Sequence, residues 1–206
     1  MYRKVSEIVP EGSSGNVRIE HFEVTEDQSR FSVIRREYVS PGTYTRLFIN
    51  NILMMSDTDM ERATNMDVVE NSFGDVLIAG LGIGLIVPPI LDKEDVTSVT
   101  IIEKSQDVIN LVEPYYRHPK LMVVCDDIFT WKPEMKYDTI YFDIWDSICV
   151  DNLKEINSLH RKAGRWKRDS DSWVSSWVVK KLRRLRDKEK SREDRFGIGV
   201  LGGWMT

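Results

Sequence analysis

The stretch Gly74-Asp-Val-Leu-Ile-Ala-Gly-Leu-Gly-Ile-Gly84 constrains this chain more than any other. An apolar strand runs straight into a G-x-G-x-G turn, and a helix-forming run, Leu85 to Leu91, follows. Glycines at 80, 82 and 84 let the backbone bend tightly and put no side chain between it and a ligand. A helix starting there would present its N-terminus to that ligand. About twenty residues on, the apolar run Val99-Thr-Ile-Ile ends at Glu103, whose carboxylate can take both hydroxyls of a ribose. Strand, bare turn and acid together point to an adenosine-containing cofactor.

The cofactor class narrows further. A dinucleotide fingerprint requires G-x-G-x-x-G/A, because a small third residue lets the helix pack close to the strand. Here Leu85 holds that position and the third glycine comes one residue early. G-x-G-x-G with a later acid is similar to the pattern of class I S-adenosylmethionine-dependent methyltransferases, and NAD fits less well.

From Asp75 the predicted rhythm is strand 75–79, helix 84–92, strand 97–102, helix 105–116, strand 121–125 and strand 138–143. Such alternation implies an α/β fold with a doubly wound, mostly parallel, Rossmann-like sheet covered on both faces. Ligands of such sheets bind beyond the carboxyl ends of the strands. Gly80–Gly84, Glu103, Asp126-Asp127 and Asp143–Asp146 all fall at such ends. Upstream, residues 1 to about 20 read as an irregular lead-in with a flexible turn at Gly12–Gly15. Phe22–Ile34 and Glu37–Met55 read as strands, with a tight hairpin turn at Asn50-Asn51. Ser56 or Asp57 is expected to cap a helix running to about Ser72.

Downstream, Asn152–Lys162 reads as a helix. A second, amphipathic helix over 172–193 would lay Trp173, Val174, Trp177, Val178, Leu182 and Leu185 on the sheet. Phe196–Leu201 would add a short strand, for about five strands in a C-terminally shortened sheet. The resulting division is an N-terminal β-strand and hairpin region (1–56), a cofactor-binding core (57–150) and a C-terminal helical extension (151–206).

Composition sets the remaining bounds. The chain has 206 residues, 30% of them charged, which suits one domain with an appendage. No apolar run is long enough to span a membrane, and Met1-Tyr-Arg-Lys-Val lacks a signal-peptide core, so a cytoplasmic protein is expected. Cys125 and Cys149 have no C-x-x-C spacing and read as buried free thiols, with no metal site. From Arg161 to Arg195 there are 14 Lys/Arg and 6 Asp/Glu, a net of +8. Since the whole chain carries −4, the rest carries −12. The basic segment reads first as a solvated helix face, with nucleic-acid contact through 161–195 as the subordinate expectation.

The run Thr45-Arg-Leu-Phe-Ile-Asn-Asn-Ile-Leu-Met-Met-Ser-Asp57, followed by a helix and Val76–Gly84, resembles the spermidine synthase branch of the class I methyltransferase folds. Residues 22–147 carry the resemblance. Met54–Glu61, Asp143-Ile-Trp-Asp and Asp151-Asn-Leu also look like uncharacterised phage and bacterial methyltransferase-like proteins. The resemblance implies that Glu103 holds the ribose, with Lys104 beside it. It puts Asp126 on the adenine amino group, Asp127 next to it, and Ile128 against the ring. Asp143 would face the reacting centre and accept a proton from, or orient, an amine. Trp145 and Asp146 would wall the acceptor pocket.

Three positions depart from the family. Its glycine-loop aspartate is Ile83 here, its hairpin glutamine is Met54, and its channel tyrosine falls at Ala63. Loss of that aspartate removes the partner of an aminopropyl ammonium and favours the ordinary methyl donor. No N-P-P-Y or D-P-P-Y motif follows the fourth strand, which disfavours methylation of DNA bases. His21, His118 and His160 show no triad or metal spacing.

Three functions therefore stay open: a methyltransferase whose unidentified acceptor is an amine or other small molecule or a protein; an aminopropyltransferase; and a non-catalytic protein acting through its basic helix. Because the sheet is short, the acceptor site would be covered by the Trp-bearing helix or completed by a second subunit in a homodimer.

Overall fold

The computed structural model describes residues 4–34 and 38–196. It contains two sheets. Strands β1 (Gly12–Ser14), β2 (Val17–Val24), β3 (Gly42–Ile49) and β4 (Ile52–Ser56) form an antiparallel sheet in sequential order. Strands β5 (Gly74–Ala79), β6 (Val96–Glu103), β7 (Leu121–Cys125), β8 (Thr139–Phe142) and β9 (Trp173–Ser176) form an all-parallel sheet ordered β7-β6-β5-β8-β9. The helices are α1 (Glu26–Ile34), α2 (Asp59–Asn71), α3 (Val87–Leu91), α4 (Gln106–Val112), α5 (Asn152–Ala163) and α6 (Val179–Phe196).

The parallel strands are apolar throughout because both faces are covered. Val76, Ile78, Val99 and Ile101 pack on one side with Val68 of α2, Ile90 of α3 and Val108 and Val112 of α4. Leu77, Ala79, Ile140 and Phe142 face the other way, onto Leu159 and Ala163 of α5. Each fully buried Ile, Leu or Val contributes roughly 1.5–3 kcal/mol. The two sheets also meet. Ser14 Oγ donates to Asp107 Oδ1 of α4 at 2.7 Å, beside Gly15 in the β1–β2 turn.

The hairpin turn at Asn50-Asn51 forms as expected, with φ of 52° and 63° at the two residues. Double left-handed geometry gives the primed turn that matches strand twist, and asparagine tolerates it.

Several expectations are corrected. The supposed lead-in forms β1 and the first half of β2, with Val5, Val9, Val17 and Ile19 buried in the core. Phe22–Ile34 is not one strand. After Val24 the chain enters α1 through a reciprocal cap, in which Thr25 N donates to Gln28 Oε1 (2.9 Å) and Gln28 N to Thr25 Oγ1 (3.3 Å). Thr25-Glu-Asp-Gln28 is thus a capping box.

Thr58, not Ser56 or Asp57, precedes α2. Asp57 is fully buried and accepts from the backbone amides of Val5 (3.2 Å) and Thr45 (2.5 Å), while Arg62 pairs with it at 3.2 Å. Helix α3 is a single short turn rather than residues 84–92. Trp173–Ser176 is a strand rather than the start of a helix, because the free edge of β8 pairs with it from Thr139–Trp173 to Phe142–Ser176. The basic helix begins only at Val179. The fifth strand therefore comes from 173–176, and the strand expected at Phe196–Leu201 falls, beyond Phe196, outside the described residues. Cys125 is exposed and Cys149 partly so, not buried. Among the described residues no helix is long and apolar enough to cross a membrane.

Candidate active site

Strand order reverses beside β5, since the chain proceeds from it to β6 on one side and later to β8 on the other. A crevice opens at the carboxyl ends of strands flanking such a switch point. Gly80 follows β5 there, at φ +97°, and Asp143 follows β8. The Gly80 amide donates to Ile102 O (2.9 Å) and the Asp143 amide to Ala79 O (2.8 Å). A Cβ at residue 80 would collide with the Asp143 carbonyl oxygen, so only glycine fits.

The rest of the bend is held from two sides. Gly82, at φ +53°, lies against Met55 of β4. Gly84, at φ +73°, lies against the ring of Tyr116, whose hydroxyl donates to Ile83 O at 2.9 Å. Burial pushes the Tyr116 phenol pKa up, which keeps it a neutral donor.

Glu103 ends β6 with its carboxylate turned to the bend. Oε2 accepts from the Leu81 amide at 2.9 Å and Oε1 from the Ser105 amide at 2.8 Å. Each carboxylate oxygen keeps a further lone pair for another donor. After β7, Asp126 Oδ1 accepts from the Asp127 amide (2.7 Å) and Asp127 Oδ1 from the Phe129 amide (2.8 Å). This self-bonded turn directs Ile128 into the core, where it is 4% exposed.

These elements enclose a cavity of about 270 Å³, near the small end of the range of roughly 300–1,000 Å³ usual for ligand sites. Gly80, Gly82, Glu103, Lys104, Asp126, Asp127, Ile128, Asp143, Trp145 and Asp146 all line it. Of the residues singled out from the sequence, Gly84 is absent from the wall, and its missing side chain accommodates Tyr116 instead. Ile83 is fully buried in the core and offers the cavity nothing. Because α3 has five residues, the N-terminal field expected from it is weak, and anion binding at the bend falls to loop amides.

The wall also contains Met55, Glu61 and Asn65, which the sequence did not single out, and Trp177, from the segment expected to cover the acceptor site. Glu61, Asn65 and Val68 stand at i, i+4 and i+7 on α2, so two polar residues share its inward face, and that pattern was the available signal. Asn65 is buried, and Tyr141 Oη of β8 lies 3.4 Å from its Oδ1. Trp177 Nε1 donates to Thr64 Oγ1 at 3.1 Å, which pins α2 to the end of β9. Trp145 is oriented by its Nε1 bond to Glu155 Oε2 at 2.9 Å.

Burial pushes the Asp143 carboxyl up to about 7, with the charge of Glu61 adding to the rise. Burial likewise pushes Glu61 up to about 7, opposed by a backbone hydrogen bond from Ser56. An acid poised near neutrality can take or give a proton at working pH.

No protein-family model matches this chain, and no curated protein sequence does. Solved structures do match. Spermidine synthase from Thermotoga maritima aligns over 89% of this chain and 62% of its own length, at 16% identity and TM-score 0.50. Spermidine synthase in complex with the transition state analogue AdoDATO aligns over 88% and 62%, at 16% identity and TM-score 0.50. A DhpI–SAM–HEP complex aligns over 64% and 60%, at 17% identity and TM-score 0.49. The chain thus spans about 60% of the length of these structures. Coverage of 89% exceeds what residues 59–196 alone could supply, so the N-terminal part takes part in that alignment. This chain has the Rossmann-like fold of the class I methyltransferases and of spermidine synthase.

Proposed function

We propose that this chain binds S-adenosylmethionine in the cavity and transfers its methyl group to a nucleophile held at Asp143. The observation that carries this reading is the Glu103 carboxylate, fixed at the glycine bend by the Leu81 and Ser105 amides and still able to accept from ribose hydroxyls. The cavity residues fit a nucleoside: a bend too tight for side chains, an oriented acid, and a second acidic turn with Ile128 for the base. When bound, the cofactor supplies an activated methyl: the bond from nucleophile to methyl carbon forms as the carbon–sulfur bond breaks, its electron pair returning to sulfur.

The remaining work belongs to this chain. Asp143 orients the acceptor and takes its proton onto a carboxylate oxygen. Met55, Trp145 and Trp177 restrict water and hold the acceptor in line, and such positioning supplies much of the acceleration in a displacement of this kind. Aromatic faces also favour a cationic acceptor or sulfonium.

Aminopropyl transfer is the second reading, favoured by the similarity to spermidine synthase across 89% of the chain. Ile83 argues against it, because its buried side chain leaves an aminopropyl ammonium without a carboxylate partner at the bend. Calorimetry with S-adenosylmethionine and its decarboxylated form distinguishes the two. Tighter binding of the carboxylated donor supports methyl transfer, and the reverse order supports aminopropyl transfer. A labelled-methyl screen against small molecules, RNA and protein then identifies the acceptor.

A further inference from the structure

Asp143 does not stand alone at the acceptor end of the cavity. Glu61 of α2 lines the same cavity. Its place is built rather than incidental. Asn65, one turn later, donates its side-chain amide to the Glu61 carbonyl at 3.1 Å and meets the Tyr141 hydroxyl beneath. Thr64 takes the Trp177 indole N–H. Two contacts to the sheet and one bond within the helix thus fix the turn of α2 that carries Glu61. Asp143 is partly exposed to the cavity, and among the described residues its carboxylate takes no hydrogen bond from the protein. Glu61 lines the same cavity, close enough for its charge to raise the Asp143 carboxyl, and a cation held by both acids would relieve that cost.

We propose that Glu61 is a specificity residue of the acceptor site, pairing with Asp143 to select a cationic, ammonium-bearing acceptor over a neutral one. This rests on the cofactor reading above.

The proton balance follows from the pair. Burial pushes both carboxyls up to about 7, and at Asp143 the charge of Glu61 adds to the rise, so ionisation of both is opposed around neutrality. An entering ammonium offsets that cost and favours both carboxylates, any proton they hold passing to water. The nitrogen must then lose one proton to expose its lone pair. Asp143 receives it, and Glu61 stays ionised against the methylated ammonium that forms. Other charged groups on the wall are Glu103, Lys104, Asp126 and Asp127 from the β6 and β7 ends and Asp146 beyond β8. On α2 itself, Arg62 is engaged with Asp57. Glu103 accepts from two backbone amides and Glu61 from one, that of Ser56, so Glu61 and Asp143 keep carboxylate oxygens for an incoming cation.

The test uses the full chain loaded with S-adenosylhomocysteine, and n-butylammonium and n-butanol as probes, followed by calorimetry at pH 8. Wild type and Glu61→Gln should bind S-adenosylhomocysteine within twofold of each other, which also shows that the variant is folded. If neither binds it, the cofactor reading fails independently of Glu61. With that binding intact, wild type should prefer the ammonium by at least tenfold, and Glu61→Gln should lose that preference while Glu61→Asp keeps most of it. The Asp143 carboxyl, followed by carbon-13 NMR, should titrate at lower pH in Glu61→Gln because the like charge is gone. An ammonium preference missing from wild type or unchanged in Glu61→Gln, or an unmoved Asp143 titration, overturns the proposal.

Discussion

Met55 lies against Gly82 so closely that a methyl group at residue 82 would fall well inside contact distance of its thioether sulfur. The antiparallel hairpin is therefore packed onto the glycine bend and forms one wall of the cavity. Gly82→Ala should destabilise the protein by about 1–3 kcal/mol, from the clash and from a left-handed φ that alanine disfavours. Met55→Ala in that background should recover the clash but not the backbone strain. Thermal unfolding of both single variants and the double gives the coupling, and strictly additive effects would contradict the contact.

Glu103 joins β6 to the bend through two charge-assisted hydrogen bonds. Glu103→Gln replaces one accepting oxygen with a donor that faces an N–H. Affinity for S-adenosylmethionine should fall about 10–100-fold, the equivalent of one bond to a charged group. Calorimetry checks this, and undiminished affinity would remove the acid from the cofactor site.

Asp143 carries the pH dependence. Its carboxyl lies at about 7 in the folded protein against an ordinary value of 3.8. The folded chain thus holds a proton that the unfolded chain releases, and stability falls as pH rises between those two values. Wild-type Tm should decline relative to Asp143→Asn over that window and level off above about pH 7. Parallel Tm curves, or a decline of the variant instead, would contradict the shift. Since proton acceptance needs the ionised acid, methyl transfer in wild type should rise through the same region.

Trp177 ties the end of β9 to α2 through Thr64. Trp177→Phe keeps an aromatic surface but removes the N–H, and should cost about 0.5–1.5 kcal/mol for the bond. Because that contact positions the turn holding Glu61, the acceptor KM should rise while cofactor affinity stays within twofold. A change confined to cofactor affinity would show that Trp177 serves the other end of the cavity.

The parallel sheet and the glycine bend with its neighbouring acid were legible in the linear chain because they rest on local rules. Doubly covered strands must be apolar throughout, a side-chain-free bend must be glycine, and an acid must follow the next strand. Each of those demands writes itself into consecutive residues between Gly74 and Glu103. The Thr25-Glu-Asp-Gln28 cap is equally local, and it starts α1 inside the run Phe22–Ile34 that reads as a strand. Trp173–Ser176 was different in kind. Its apolar spacing continues smoothly into α6, and only the unpaired edge of β8 makes those four residues a strand.

The acceptor end was decided by tertiary structure for the same reason. Glu61 and Asn65 of α2 and Trp177 after β9 meet Asp143 only in the fold, although Asp143 itself was expected at the end of its strand. Sequence alone determined a glycine bend and an acid able to hold a nucleoside. Folding decided which side chains face it, because the burial that pushes Glu61 and Asp143 up, and the Glu61 charge that adds to it at Asp143, exist only once α2 has docked on the sheet.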